Sequence, residues 1–222
     1  MQNKVDIIID NAQIIDGTGA PSFQGGIAIL GNRIEAIGDI NQFDASHKIN
    51  VKGNVVAPGF IDCHTHDDRV LLDDPQMAFK VTQGVTTVIA GNCGISLAPF
   101  NSNNDWEMPV PMSLLGNKKD YKFPLFSDYI KTFESSPPAI NAAFLCGHNT
   151  LRAEAMDGQI GRPATQNEIG KMCESVIEAI NVGAIGLSSG LMYPAGIEAP
   201  TSEVSALAAA VGRFGGVYTT HL

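Results

Sequence analysis

The sequence predicts an α/β protein in which a small antiparallel sheet precedes the first strands of a parallel, barrel-type sheet. Residues 1–57 contain short β-branched runs separated by turn residues, which is typical of antiparallel strands. From residue 58 onward, strand-like segments alternate with helix-like segments, as in the βα units of a parallel sheet. Polar residues follow five of these strands, as in a (β/α)8 barrel whose strand ends face the active site. We therefore expect two domains, 1–57 and 58–222.

Three pairs of apolar runs make up the first of these domains. VDIIID and AQIID flank Asn11, GIAIL and RIEAIG flank Gly31 and Asn32, and HKINV and NVVAPG flank Lys52 and Gly53. Asn and Gly at such points are typical of tight hairpin turns. The pattern therefore predicts successive hairpins, which together would form a small antiparallel sheet.

Strands and helices alternate after the Pro-Gly pair at residues 58 and 59. The clearest helix is TQNEIGKMCESVIEAINVG, where Thr165 is a candidate N-cap and Glu168 completes a capping box. Its apolar residues recur with helical spacing. The repetition of βα units predicts parallel strands that are adjacent in the sheet. The predicted strands are Ile61–His66, Thr86–Asn92, Ala142–Gly147, Ile185–Ser189 and Val217–His221.

The ends of the predicted strands carry polar side chains. In a barrel the strand C-termini converge on one face, whereas a doubly wound sheet gathers ligands only near its switch point, so five such strands favour the barrel. If Phe60–His66 is a strand, His64 and His66 share one face, where two neutral imidazoles can bind one cation. Alone, the pair is equally compatible with a polar strand terminus. The polar residues are, in chain order, His64 and His66, Asn92 and Cys93, His148, Ser188 and Ser189, and His221.

The composition excludes several classes of function. A net charge of −9 and the lack of a Lys/Arg cluster argue against a nucleic-acid or anionic-membrane partner. No apolar stretch approaches the roughly 20 residues of a membrane span. The N-terminal MQNKVDIIIDNAQ lacks the apolar core of a signal peptide, so we expect a cytoplasmic protein. The four cysteines are widely spaced and should be thiols or metal ligands rather than disulfides.

Five segments of the sequence resemble one known family. APGFIDCHTHDD, GVTTVIAGNCGISLAP, CGHNTLR, GLSSGLMYPAG and the terminal THL are similar to the N-acyl-D-amino-acid deacylases, or D-aminoacylases, of the metal-dependent amidohydrolase superfamily. The resemblance spans nearly the whole chain. It implies a TIM-like (β/α)8 amidohydrolase barrel preceded by part of a small β-sandwich domain. It also implies zinc-dependent hydrolysis of the amide bond of N-acyl-D-amino acids, which releases a carboxylate and a D-amino acid.

The resemblance also implies roles for particular residues. His64 and His66 would bind one zinc position, and Cys93 and His221 would bind a second, more tightly held zinc. Tyr193 would contact the carboxylate of the substrate. The general-base aspartate of the family would lie beyond residue 222. The residues themselves add His148, which ends a predicted strand on the same rim, where it could either position the substrate or form hydrogen bonds within its loop.

Two other functions stay open. Cyclic amidohydrolases of the dihydropyrimidinase or hydantoinase type resemble this pattern at the paired histidines, but they bridge their metals with a lysine on the fourth strand, and AIGLSSG contains none. A non-catalytic zinc-binding protein derived from this fold is the second alternative. Because the sequence stops just after the fifth predicted strand, we expect it to be part of a protein about twice as long, inactive by itself, and self-associating through its open sheet edges.

Overall fold

The structure is a computed structural model that describes residues 2–221. Backbone contacts divide the chain into two compact units, with the boundary after Gly59. No helix among the described residues is long and apolar enough to cross a membrane. The strands are β1 (Asn3–Ile14), β2 (Phe23–Leu30), β3 (Arg33–Gly38), β4 (Phe43–Asn50), β5 (Val55–Val56), β6 (Phe60–Asp62), β7 (Val85–Ala90), β8 (Asn141–Gly147), β9 (Gly186–Gly190) and β10 (Val217–His221). The α-helices are α1 (Val70–Asp73), α2 (Ala78–Val81), α3 (Phe126–Ser135), α4 (His148–Ala155), α5 (Gln166–Asn181) and α6 (Thr201–Gly212), and two short 3₁₀ helices cover Met112–Leu115 and Lys118–Asp120.

The first unit is a mixed five-stranded sheet rather than the antiparallel sheet predicted. Its strand order is β3-β2-β1-β4, and β5 also pairs with β1. β2 and β3 form the predicted antiparallel hairpin around Gly31, whose φ of 58° suits a tight turn. β4 and β5, however, both run parallel to β1. The prediction of hairpins at Asn11 and at Lys52-Gly53 is therefore wrong.

The turn residues at these two places do not reverse the chain. They lie in a bulge within β1 and in the link between β4 and β5. Asn11, with a φ of 57°, lies in a bulge within the single strand β1, where the register with β2 shifts between Ile9 and Ala12. Lys52 and Gly53 also have positive φ and join β4 to β5, and the Gly53 N–H donates to the Asn11 carbonyl at 2.7 Å. Because a bulge and a hairpin both accept left-handed residues, the residue types alone do not distinguish them.

Two small clusters of buried apolar side chains stabilise this sheet. One contains Ile8 and Phe43, and the other contains Ile14 and Ile27. The described residues of this unit form a single sheet. That residues 1–57 belong to a β-sandwich domain therefore stays a prediction.

The second unit contains a five-stranded parallel sheet in the order β10-β9-β8-β7-β6. Every neighbouring pair is parallel, which confirms the prediction that these five segments are parallel and adjacent. Each connection between consecutive strands contains at least one helix. The unit is a mixed α/β fold whose sheet fits part of a (β/α)8 barrel.

β6 ends earlier than the sequence predicts. It covers only Phe60–Asp62, because only these residues pair with β7, so His64 and His66 lie in the loop after the strand and do not share a strand face. The loop is nevertheless held against β7, since the backbone N–H and the hydroxyl of Thr65 both donate to the Ile89 carbonyl at 3.1 Å. The two histidines are therefore positioned by a docked loop rather than by strand alternation.

Helix α5 begins as predicted. Thr165 Oγ1 accepts the Glu168 N–H at 3.3 Å, and the Glu168 carboxylate accepts the Thr165 N–H at 2.7 Å, which completes the capping box. The Arg162 guanidinium donates to the same carboxylate at 2.7 and 2.9 Å. The helix packs its apolar stripe into the main core of the unit. The buried residues of this stripe are Ile169, Met172, Val176 and Ala179.

Candidate metal centre

The loop Gly91–Gly94 carries Cys93 at the C-terminal end of β7. Cys93 has a left-handed φ of 57°, which is uncommon for a residue other than glycine. Gly91 and Gly94 also have positive φ. A β-carbon at Gly91 would lie 1.9 Å from the Leu145 carbonyl oxygen, so only glycine lets the loop pass this close to β8. The sequence GNCG thus folds into a tight loop that leaves the Cys93 thiol at the strand ends.

Two histidines lie beside this thiol. The Nε2 atom of His64 is 3.0 Å from Cys93 Sγ. The candidate ligand atoms of His64, His66 and Cys93 all lie within 4.8 Å of one another. Cys93 is buried and His64 is exposed, so the group is open to solvent on one side. The structure therefore brings together three of the four predicted metal ligands.

The fourth predicted ligand, His221, contacts the same cysteine. Its Nδ1 atom is 3.3 Å from Cys93 Sγ. His221 is the last residue of β10 and pairs with Gly190 of β9. Tyr193, in the loop after β9, places its hydroxyl 3.4 Å from the same histidine nitrogen. The Cys93 thiol thus links the histidine pair after β6 with the histidine and tyrosine at the other end of the sheet.

The environments of His66 and Cys93 suit a metal site. Burial and the neighbouring His64 lower the pKa of His66, which favours the neutral imidazole that binds metals. The Nδ1 atom of His66 is buried and has no hydrogen-bond partner among the described residues. Burial raises the pKa of the Cys93 thiol, so the thiolate needs a nearby cation to form at neutral pH. Imidazole nitrogen and thiolate sulfur are ligands that zinc prefers, and the residues present therefore fit zinc.

An ion-pair network holds the loop that carries the two histidines. The Lys80 ammonium lies 2.7 Å from a carboxylate oxygen of Asp62 and 3.1 Å from one of Asp67, which flank His64 and His66 in sequence. The hydrogen bond from Lys80 lowers the pKa of Asp62 below its usual value, against an opposing effect of burial. Lys80 was not predicted. The signal that could have indicated it is the pair of acidic residues around the histidines, which needs a cation when partly buried.

His148, the other residue predicted to bind the substrate, is buried beside a carboxylate. It is the first residue of α4, its side chain is fully buried, and its Nε2 lies 2.8 Å from a Glu203 carboxylate oxygen. Arg152, also fully buried, donates to the same carboxylate at 2.6 and 2.7 Å and to the Ala195 carbonyl at 2.8 Å. This placement favours the hydrogen-bonding role of His148 over contact with a substrate.

The sequence is similar to that of a characterised enzyme. D-aminoacylase of Alcaligenes xylosoxydans xylosoxydans is 43% identical over 217 residues, which cover 98% of this chain and 44% of that protein. The chain thus spans less than half the length of this relative. This similarity confirms the family resemblance from which the four metal ligands were predicted.

The fold is similar to those of two solved structures. A crystal structure of D-aminoacylase matches with a TM-score of 0.92 and 44% identity, covering 98% of this chain and 45% of that one. An N-acyl-D-glutamate deacylase from Bordetella bronchiseptica, complexed with zinc and a phosphonate inhibitor, matches with a TM-score of 0.90 and 35% identity, covering 99% and 45%. The model of the amidohydrolase family matches residues 48–220. The chain therefore belongs to the amidohydrolase family.

Proposed function

We propose that the protein hydrolyses the amide bond of N-acyl-D-amino acids and releases a carboxylate and a D-amino acid. The observation that carries the proposal is the contact of Cys93 Sγ with His64 at 3.0 Å and with His221 at 3.3 Å, at the C-terminal ends of parallel strands. The similarity to enzymes that act on such substrates supports it. The lack of a lysine in β9 weighs against a cyclic amidohydrolase, whose bridging lysine would lie there.

The ligands we propose for zinc are the same four side chains. Cys93 and His221 would hold the tightly bound ion, and His64 and His66 would hold a second, weaker one. When bound, zinc acts as a Lewis acid on a carbonyl oxygen and lowers the pKa of a coordinated water. The chain supplies the imidazoles of His64 and His66 beside the Cys93 thiol, in a group that is buried at Cys93 and exposed at His64. A substrate can therefore reach the ligands from the exposed side.

Tyr193 is the residue we propose for binding the substrate carboxylate. Its hydroxyl is 3.4 Å from His221, and its side chain is half-buried. Burial and the neighbouring Cys93 raise the pKa of the phenol, so it stays protonated at neutral pH. A protonated phenol donates a hydrogen bond to an anion and does not repel it. Tyr193 would thus fix the carboxylate end of the substrate and direct its amide toward the histidines.

The similarity to D-aminoacylase also supports a division of the chain into domains. We propose that residues 1–57 contribute to a β-sandwich domain and that residues 58–222 contribute the first five strands of a (β/α)8 barrel. The parallel order of β6 to β10 supports the barrel, because strands that follow one another in sequence and space build a closed barrel.

The proposal is tested by measuring zinc content and turnover on the same preparations of the whole protein. We expect bound zinc and hydrolysis of N-acetyl-D-amino acids, with little turnover of the L-enantiomers or of cyclic ureides. The Cys93→Ala variant should lose zinc and activity, whereas Cys173→Ala, which removes a half-buried thiol of α5, should retain both. Equal zinc content and equal rate in the Cys93→Ala variant would refute the ligand assignment, and equal turnover of L- and D-substrates would refute the substrate class.

A further inference from the structure

The loop that carries Cys93 has a strained backbone conformation, which depends on contacts with the surrounding residues. Gly91, Cys93 and Gly94 all have positive φ, and for Cys93 this conformation costs free energy because its β-carbon crowds the backbone. A loop of this kind persists only when its surroundings determine its conformation. The hydrogen-bond partners of its backbone N–H and C=O groups are therefore the contacts that hold the thiol in position.

Ser188 of β9 joins the two ends of this loop. The Ser188 hydroxyl accepts the Gly94 N–H at 2.9 Å and donates to the Gly91 carbonyl. One hydroxyl can do both, because it has one proton and two lone pairs. Ser188 is fully buried, so water cannot replace either bond. A single side chain thus closes the loop on both sides of Cys93.

The side chains of two further buried residues also contact this loop, and each reaches only one of its backbone groups. Asp68 accepts the Gly91 N–H at 3.2 Å. The Asn149 side-chain amide lies 3.5 Å from the Cys93 carbonyl oxygen and donates to the Gly190 carbonyl at 3.2 Å. Replacing Asp68 would remove an ionisable group, and replacing Asn149 would remove a larger side chain that also contacts Gly190. Ser188 is therefore the position where one oxygen atom can be removed with the least other disturbance.

We propose that Ser188 is a positioning residue for the metal-binding thiol. Its hydroxyl closes the Gly91–Gly94 loop so that Cys93 Sγ points at His64 and His221 before any metal binds. The inference rests on the proposed role of Cys93 as a zinc ligand. Residues that orient a ligand without touching the metal commonly change metal affinity by 10- to 100-fold, because they remove the need to order the site on binding.

The neighbouring residue Ser189 provides a matched control. It lies next to Ser188 on the same strand and is equally buried, but its hydroxyl bonds to Tyr218 at 2.6 Å and Thr220 at 2.9 Å in β10. Alternation along β9 directs the two hydroxyls to different neighbours. Ser188→Ala and Ser189→Ala remove the same atom from equally buried sites, and only Ser188→Ala frees the cysteine loop.

The experiment measures the Zn²⁺ affinity of the wild type and of the Ser188→Ala, Ser189→Ala and Cys93→Ala variants by competition with a chromophoric chelator. The intensity of the thiolate-to-metal charge-transfer band is recorded after loading with Co²⁺. We expect Ser188→Ala to bind Zn²⁺ about ten-fold more weakly or worse and to lose much of the Co²⁺–thiolate band. Ser189→Ala should lower the melting temperature without changing either metal readout.

The outcomes separate this inference from the proposed function. Wild-type affinity in Cys93→Ala would overturn the ligand assignment itself and the inference with it. Weakened binding in Cys93→Ala together with unchanged binding in Ser188→Ala would overturn only the positioning role, as would equal weakening in Ser188→Ala and Ser189→Ala.

A second measurement needs no variant and so does not depend on whether Ser188→Ala folds. In the metal-free wild type, the Gly94 amide should exchange its hydrogen as slowly as the amides of β9, because its acceptor is the buried Ser188 hydroxyl. Exchange of the Gly94 amide at the rate of an unfolded peptide would show that the loop is not held before metal binding, and would overturn the inference.

Discussion

The Cys93 thiol and the His221 imidazole lie 3.3 Å apart although 128 residues separate them in sequence. Cys93 follows β7 and His221 ends β10, and β8 and β9 lie between these two strands in the sheet. Three strand spacings amount to about 14 Å, so side chains directed along their own strands would not meet. The contact forms because the Gly91–Gly94 loop crosses the ends of the two intervening strands. The Gly94 carbonyl accepts the Asn149 N–H at 2.8 Å at the start of α4, just after β8.

This close passage predicts a strict requirement for glycine at position 91. Gly91→Ala would place a β-carbon 1.9 Å from the Leu145 carbonyl oxygen at a φ of 79°, so we expect the free energy of unfolding to fall by more than about 1 kcal/mol. Gly170→Ala is the control, because Gly170 is exposed within α5 and has nothing near the new β-carbon. It should raise the free energy of unfolding by up to about 1 kcal/mol. Urea denaturation of both variants checks this, and a Gly91→Ala variant as stable as the wild type would contradict it.

Removal of the Tyr193 hydroxyl should affect substrate binding without affecting the metal. Tyr193→Phe removes the donor that we propose for the substrate carboxylate, and we expect kcat/KM of the whole protein for an N-acetyl-D-amino acid to fall about ten-fold or more, with unchanged zinc content. Tyr218→Phe is the control, since that hydroxyl bonds to Ser189 in the neighbouring strand. Steady-state kinetics with metal analysis measure both quantities. Loss of zinc from Tyr193→Phe, or an equal kinetic effect in Tyr218→Phe, would count against the assignment.

The buried pair of Arg152 and Glu203 predicts a large effect on stability. Burial raises the pKa of Glu203, but hydrogen bonds from His148 and Arg152 outweigh it and hold the pKa below its usual value. Glu203→Gln would leave the buried guanidinium without a counter-charge, so we expect the free energy of unfolding to fall by about 3–5 kcal/mol.

Two further variants serve as a control and as a partial rescue for Glu203→Gln. Glu198→Gln, at an exposed position, should change the free energy of unfolding by less than about 0.5 kcal/mol. Arg152→Met combined with Glu203→Gln should recover part of the loss, because it removes the uncompensated charge. Thermal and urea unfolding measure all three proteins. Equal stability of Glu203→Gln and Glu198→Gln would show that the buried charge pair contributes little.

The cap of α5 predicts a dependence of stability on pH. Hydrogen bonds from the Arg162 guanidinium and from the Thr165 backbone lower the pKa of Glu168 from 4.5 to about 2. Because the folded pKa is the lower one, the contribution of this carboxylate is complete above pH 4.5 and is lost as the pH falls from 4.5 toward 2. The difference in stability between the wild type and Glu168→Gln should therefore be larger at pH 7 than at pH 3.5. Urea midpoints at the two values check this, and a difference independent of pH would contradict it.

The sequence by itself determined the elements whose signals are local. The capping box of Thr165 and Glu168 predicted the start of α5, because capping depends on groups three residues apart. The βα alternation predicted five parallel strands, because a parallel pair needs a helical crossover. The convergence of His64, Cys93 and His221 followed from the rule that parallel strands end on one face, together with the family resemblance.

Only the tertiary structure decided the features that depend on partners distant in sequence. Asn11 has the left-handed backbone of a turn residue, yet it forms a bulge, because pairing with β4 and β5 holds β1 as one strand. The sequence places His148 at the end of a strand, but only the folded structure shows that its buried partner is Glu203, 55 positions later. Ser188 and Ser189 are the same residue type at adjacent positions, and their different contacts arise because β9 directs one toward the cysteine loop and the other toward β10. Local sequence specifies backbone conformation and which faces are apolar, whereas the identity of a buried polar partner depends on which segments the folded core brings together.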